Sequence, residues 1–185
     1  MFGDIFTDIA IKKNHERVAT FIKVSKEMYD RIHDEYKDMV PSFAEYDNII
    51  IPKRATECSA GYDFYTPMPI HLYPKDSIVI PTCIKVYMES DWALHIMPKS
   101  GFGFKYGLKL ANTIGLIDAD YINTKNDSLT NEGHIMIKLV NDGDREVEIP
   151  QGKAFVQGVF LRYGTASNDN FSEMSTRNGG LGSTF

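Results

Sequence analysis

At 185 residues and 43% hydrophobic content, the chain is long enough to bury one core and too apolar to remain disordered. A formal net charge of -5 argues against broad binding to a nucleic-acid backbone, so any phosphate must be gripped locally by a few placed cations and a metal ion. No apolar run approaches the ~18 residues of a membrane span, and Met1-Phe2-Gly3-Asp4-Ile5 lacks the parts of a signal peptide; a cytoplasmic protein is expected. Cys58 and Cys83 are too few and too far apart for a disulfide framework or a zinc site, and read as two reduced thiols.

Residues 1–17 are weakly patterned. Val18 to Val24 is β-rich and predicts a first strand. From Ser25 to Val40 the period changes: Met28, Ile32, Tyr36 and Met39-Val40 share a helical face, Glu27 and Arg31 stand at i,i+4, and Pro41 ends the run. This 25–40 segment is expected to be a helical insertion that packs on the surface. Asn48 to Pro52 predicts a return to strand.

From there to Phe160 the sequence consists of short β-runs punctuated by Gly and Pro. The clearest are Val79-Ile80, Ile84 to Met88, Ala93 to Ile96, His134 to Val140, Val147 to Ile149 and Phe155 to Phe160. Strands, tight turns and no central helix predict an all-β sandwich or barrel in a single domain, 1–163. Beyond Tyr163 the composition shifts to Ser, Asn, Asp and Gly, so 164–185 is expected to be a flexible C-terminal tail.

The chemistry-bearing residues lie on several of these runs. Ala60-Gly61-Tyr62-Asp63-Phe64 alternates as a strand, with Asp63 either structural or functional. Pro98-Lys99-Ser100-Gly101 puts a cation, a hydroxyl and a glycine in succession, a turn able to bring N–H groups and charge to a phosphate oxygen. Leu110 to Tyr121 reads as a β-hairpin bent around Asn112-Thr113, with Gly115 where another group approaches the backbone closely. Asp118, after the apolar pair Leu116-Ile117, is either a turn residue at a strand end, as Asp120 is, or a carboxylate that holds a water. Gln157 is a polar amide in an apolar strand and needs a partner if buried. Arg177 followed by Gly179-Gly180-Leu181-Gly182-Ser183-Thr184 offers a fork, bare backbone and hydroxyls to a polyphosphate, though a disordered Gly/Ser end has the same composition. His134 alone reads as an ordinary core or surface histidine.

Taken together, these segments resemble the five motifs of the trimeric dUTPases, in the family's order and spanning residues 52 to 184. They are Ala-Gly-x-Asp-Leu (Ala60 to Phe64), Pro-Arg-Ser-Gly with Lys-x-Gly (Pro98 to Gly107), and Asn then Gly-x-Ile-Asp-x-Asp-Tyr (Asn112 to Tyr121). Gly152 to Gln157 matches the fourth and Arg177 to Thr184 the fifth. Several positions depart. Lys99 replaces arginine and loses its bidentate fork. An insertion, 122–130, precedes Asn131-Glu132-Gly133-His134-Ile135, with His134 where the family usually has an acid; Gram-positive bacterial and phage-type members look like this. Gly158 replaces an apolar residue and is expected only to loosen packing. Leu181 replaces the phenylalanine that covers uracil, and the Arg177-to-glycine spacing is one residue shorter.

The resemblance implies a distorted jelly-roll, hydrolysis of dUTP to dUMP and pyrophosphate, and Mg2+ as cofactor. Asp118 would activate the attacking water, and Asp63 would lie near the metal through water. Lys99, Ser100, Gly101, Gln157, Arg177, Ser183 and Thr184 would hold phosphates, with Gly182 beside them. Asn112, Gly115, Leu116 and Ile117 would read uracil, Leu181 would cap it, and Tyr121 would lie under the deoxyribose. It further implies a homotrimer with active sites shared between subunits. The alternatives are a regulatory binding protein of the same fold, using 25–40 and 122–130, and a dCTP deaminase, whose Ser-Ser-x-Ala-Arg is replaced here by Lys99 to Gly103.

Overall fold

The computed structural model describes residues 16–123 and 131–170. The strands are β1 (Ala19–Lys23), β2 (Lys53–Arg54), β3 (Tyr62–Tyr65), β4 (Ile70–Leu72), β5 (Ser77–Pro81) and β6 (Ile84–Met88). They continue with β7 (Trp92–Pro98), β8 (Leu108–Leu110), β9 (Gly115–Asp118), β10 (Met136–Asn141), β11 (Val147–Ile149) and β12 (Ala154–Arg162). The helices are α1 (Lys26–Tyr36) and α2 (Ser100–Tyr106), with short 3-10 turns at Tyr46–Asn48 and Ala119–Asn123. All pairings are antiparallel, in sheets ordered β2-β3-β12-β7-β9, β5-β10-β8, β1-β6 and β11-β4. The all-β expectation holds, in the manner of a distorted jelly-roll.

Alternation explains the layering. In β10, Ile137, Leu139 and Asn141 point inward while Lys138 faces out; β4 and β11 each bury their first and third residues. The inward sides meet in one core around Phe64, Met68, Ile80, Leu94, Ile96, Leu139, Phe155 and Val156. Phe21 of β1 contacts Tyr62, Phe64 and Phe160 at centroid separations of 5.3 to 5.5 Å, joining the β1-β6 pair to the five-stranded sheet. Helix α1 buries Met28, Tyr29, Ile32 and Tyr36, the spacing of a single stripe. It is therefore a packing element, as its period predicts.

Four local expectations need correction. Asn48 to Pro52 is not a strand: Tyr46–Asn48 is a 3-10 turn, and pairing begins only at Lys53, after a proline that has no N–H to give a ladder. Leu110 to Tyr121 is not a two-stranded hairpin, because β8 pairs with β10 while β9 pairs with β7, so the bend at 111–114 passes the chain between two sheets. A second helix does exist in the middle of the chain. Gly101 and Gly103 make α2 locally weak, but Phe102 and Tyr106, four apart, pack on the core, and Gly107 (φ 68°) closes it in a left-handed cap. Finally, Gly158 does not loosen packing: a Cβ there would lie 2.8 Å from Leu94 Cδ1 and 3.0 Å from Phe64 Cε2. Its missing side chain is what lets the core close.

Candidate active site

Three neighbouring strands gather the predicted phosphate-side residues. Asp63 on β3 stands opposite Gln157 on β12, and Gln157 stands opposite Met97 on β7. Two residues further along the chain is Lys99, whose Nζ donates to Asp63 Oδ1 at 2.6 Å. Asp63 is buried and Lys99 half-buried, so this charge pair works in a lower dielectric than a surface one. The Gln157 amide lies over Gly61, where a Cβ would sit 2.6 Å from Gln157 Oε1. That contact explains the glycine before Tyr62: any side chain would displace the amide.

Ser100 opens α2 and is exposed; next to it, a Cβ on Gly101 would meet nothing within 4 Å. A cation, a hydroxyl and open backbone thus face a free approach, beside an amide and a carboxylate. The Asp63 carboxylate supplies hard oxygen, the donor Mg2+ prefers. With one oxygen engaged by Lys99, it fits a metal held mainly by phosphates and water and reached through one of those waters.

The second group is built on the edge strand β9. Thr113 (φ 67°) turns the bend, with Ile114 N–H donating to Asn112 O at 2.7 Å and Thr113 N–H to Leu110 O at 3.1 Å. Asn112 and Leu116 are exposed and Ile117 is half-buried. Gly115 stands opposite Ile96, with room for only a tight Cβ, 3.3 Å from Ile96 Cβ. Asp118 ends the strand opposite Ala93 and is half-buried. Tyr121 follows in the 3-10 turn, its ring buried; its hydroxyl donates to His134 O at 2.9 Å.

Gly115 faces the half of β7 nearer Lys99, but Asp118 and Lys99 lie toward opposite ends of that strand. Ala93, the partner of Asp118, precedes Lys99 by six residues, which in a strand is about 20 Å. A reacting atom must lie within a few ångströms of its base, so Asp118 does not reach the phosphate-side cluster of its own chain. Two clefts, one lined by Ala44, Asn48 and Tyr65 and the other by Met28, Ile32, Tyr36, Asn131 and His134, contain none of the predicted site residues. Arg177, Leu181, Gly182, Ser183 and Thr184 lie outside the described residues, as does 124–130 of the insertion.

His134 proves to be a core group. Its Nε2 accepts from Cys83 N–H at 3.0 Å, and burial pushes the imidazole down to about 4. Burial likewise pushes the Cys83 thiol up to about 12, while Cys58 is exposed; both are free. Asn131, given no role from sequence, donates through Nδ2 to Tyr121 Oη at 2.7 Å. An asparagine two residues before a glycine is a turn signal, but nothing local shows that its other end meets a tyrosine ten residues earlier. His71, Glu146 and Glu148 also cluster at the exposed β4-β11 pair, with His71 Nε2 2.6 Å from Glu146 Oε1.

A family model described as dUTPase matches residues 47–185. The deoxyuridine 5'-triphosphate nucleotidohydrolase of Lactococcus lactis is 41% identical over 136 residues, covering 74% of this chain and 88% of that protein. A dUTPase structure from Streptococcus mutans superposes with a TM-score of 0.61 at 29% identity, over 80% of this chain and 98% of that one. A phage phi11 dUTPase of Staphylococcus aureus, described with a structural Mg(II) ion, shares the fold at a TM-score of 0.57 and 17% identity, over 85% and 99%.

Proposed function

As a member of the dUTPase family and a dUTP diphosphatase, this chain cleaves dUTP to dUMP and pyrophosphate; we propose that Asp118 activates the water that does so. The water oxygen attacks the α-phosphorus in line, its proton passes toward the Asp118 carboxylate, and the bond to the bridging oxygen of the leaving pyrophosphate breaks. Lys99, Ser100 and Gln157 hold phosphate oxygens, and Gly101 leaves its backbone open to them. Arg177, Ser183 and Thr184 of the tail complete the grip beside Gly182, with Leu181 over the base. Asp63 would stand behind a water of Mg2+, which when bound with the phosphates would offset charge developing on the leaving group.

The observation that carries this reading is the convergence of Asp63 on β3, Gln157 on β12 and Lys99 just beyond the end of β7, with the exposed Ser100 next in the chain. Lysine at 99 has a cost: it gives a point charge already shared with Asp63, where a guanidinium would offer a fork. Uracil is read by backbone groups between Asn112 and Ile117, against Gly115 and Leu116. Cytosine presents the reversed pattern and leaves buried groups unpaired. Tyr121 packs under the deoxyribose and leaves no room for a ribose hydroxyl.

The same reading makes the protein a homotrimer in which Asp118 of one subunit serves phosphates held by another. It divides the chain into a β domain, 1–163, and a tail, 164–185, a boundary supported by β12 ending at Arg162. Among the described residues no helix is long and apolar enough to cross a membrane, and a cytoplasmic enzyme that keeps uracil out of DNA and supplies dUMP fits the substrate.

The test is pyrophosphate release from dUTP, dCTP, dTTP and UTP, with Mg2+ and with chelator, by wild type and Asp118→Asn. Turnover of dUTP alone, dependent on Mg2+ and reduced at least a hundredfold by the substitution, is the expected result. Ammonia release from dCTP would assign a deaminase. Full turnover by Asp118→Asn would remove Asp118 from the chemistry.

A further inference from the structure

The Tyr121 hydroxyl is fixed on two sides by one turn. Asn131 Nδ2 donates to it at 2.7 Å, and it donates to His134 O at 2.9 Å. The turn that carries both partners is itself tightly determined. Asn131 Oδ1 accepts from Gly133 N–H at 3.0 Å, and Asn131 O accepts from His134 N–H at 2.8 Å. Glu132 (φ 54°) and Gly133 (φ 76°) are successive left-handed residues, the first of them not a glycine. At Gly133 a Cβ would lie 2.8 Å from Ile122 Cα and 3.1 Å from Tyr121 O, so the turn is pressed against the backbone of the tyrosine it holds.

Strain of this kind persists only where the surroundings enforce it, and here they do. The Glu132 carboxylate accepts from Ser25 N–H at 3.0 Å, from the Ser25 hydroxyl, and from Lys85 Nζ at 3.1 Å. His134 is anchored by Cys83, and Ile135 O accepts from the Thr82 hydroxyl at 2.7 Å. The Asn131 amide is thus the end of a stiff arm whose tip touches the hydroxyl of the proposed sugar-contacting ring.

We propose that Asn131 is a positioning residue for sugar discrimination: it holds Tyr121 so that the ring cannot yield to a ribose 2'-hydroxyl. The inference rests on the reading that Tyr121 lies against the deoxyribose. A ring that can shift by a fraction of an ångström admits an extra oxygen; one with both hydroxyl bonds made does not.

The test is kcat/KM for dUTP and for UTP, with Mg2+, on wild type, Asn131→Ser, Tyr121→Phe and the double variant, with melting temperatures alongside. Serine keeps an oxygen acceptor for Gly133 N–H but is too short to reach the phenol. Asn131→Ser is expected to lower the dUTP-to-UTP ratio about five- to tenfold, the effect of one hydrogen bond. Tyr121→Phe lowers it in the same direction, and the double variant lowers it no further than Tyr121→Phe alone. A lower melting temperature with an unchanged ratio, an equal loss for both substrates, or additive effects would overturn the proposal. Should Asn131→Ser fail to fold, a wild-type ratio in Tyr121→Phe would overturn it independently. Wild type that hydrolyses neither nucleotide would sink the functional reading and this inference with it; wild-type discrimination with an unaltered Asn131→Ser sinks the inference alone.

Discussion

His134 shows how burial decides the role of a titratable residue. A neutral imidazole accepting from Cys83 N–H is a satisfied core group, but its protonated form would have no acceptor at Nε2 and would face a buried backbone donor. Its value in the folded chain, about 4, lies below the ordinary 6.5. The unfolded chain therefore binds the extra proton first, and stability falls as pH drops from about 6.5 toward 4, by up to roughly 3 kcal/mol. His134→Gln, which keeps an acceptor for the Cys83 amide, is expected to flatten this part of the pH profile in urea denaturation. An unchanged acid slope would mean that other groups carry it.

At the scale of elements, the helical insertion is tied into the β domain by Ser25. Its hydroxyl caps α1 by accepting from Met28 N–H at 3.0 Å, and it donates to Glu132 as well. Burial alone would raise Glu132, but Ser25 and Lys85 overcome it and hold the carboxyl below its ordinary range. Ser25→Ala removes the cap and one Glu132 partner together. The expected loss is about 1–2 kcal/mol, or about 2–8 °C in Tm, with stability falling less steeply on acidification than in wild type because Glu132 is then held less far below its unfolded range. A Tm within 1 °C of wild type, on the order of 0.3 kcal/mol, would show that the helix holds its place by apolar packing alone.

At the scale of the whole molecule, the proposed roles of Asp118 and Lys99, set against their separation along β7, require more than one chain for the chemistry. Coexpressing Asp118→Asn with a chain truncated to 1–163 tests this directly. Neither has both the aspartate and the tail, yet a mixed trimer has sites where one chain supplies Asp118 and another the tail. Recovered dUTP turnover in the mixture, absent from either chain alone, is expected. No recovery from a mixed oligomer demonstrated by light scattering would confine each site to one chain.

What the sequence determined by itself was periodicity and punctuation. The runs at Ile84–Met88 and Val147–Ile149 coincide with β6 and β11, and the stripe from Met28 to Tyr36 with the buried face of α1, because alternation and helical spacing are local properties of the chain. The motif residues were legible for the same reason, as fixed types at fixed spacings. Only the tertiary structure decided which of them meet. Asp63, Lys99 and Gln157 converge because strands distant in sequence pair in one register, while Asp118 and Lys99, close in sequence, are held apart by the strand between their positions. Helix α2, the close packing at Gly158, and the grip of Asn131 on Tyr121 were likewise invisible beforehand: each depends on a partner supplied by another part of the chain, and no local propensity encodes it.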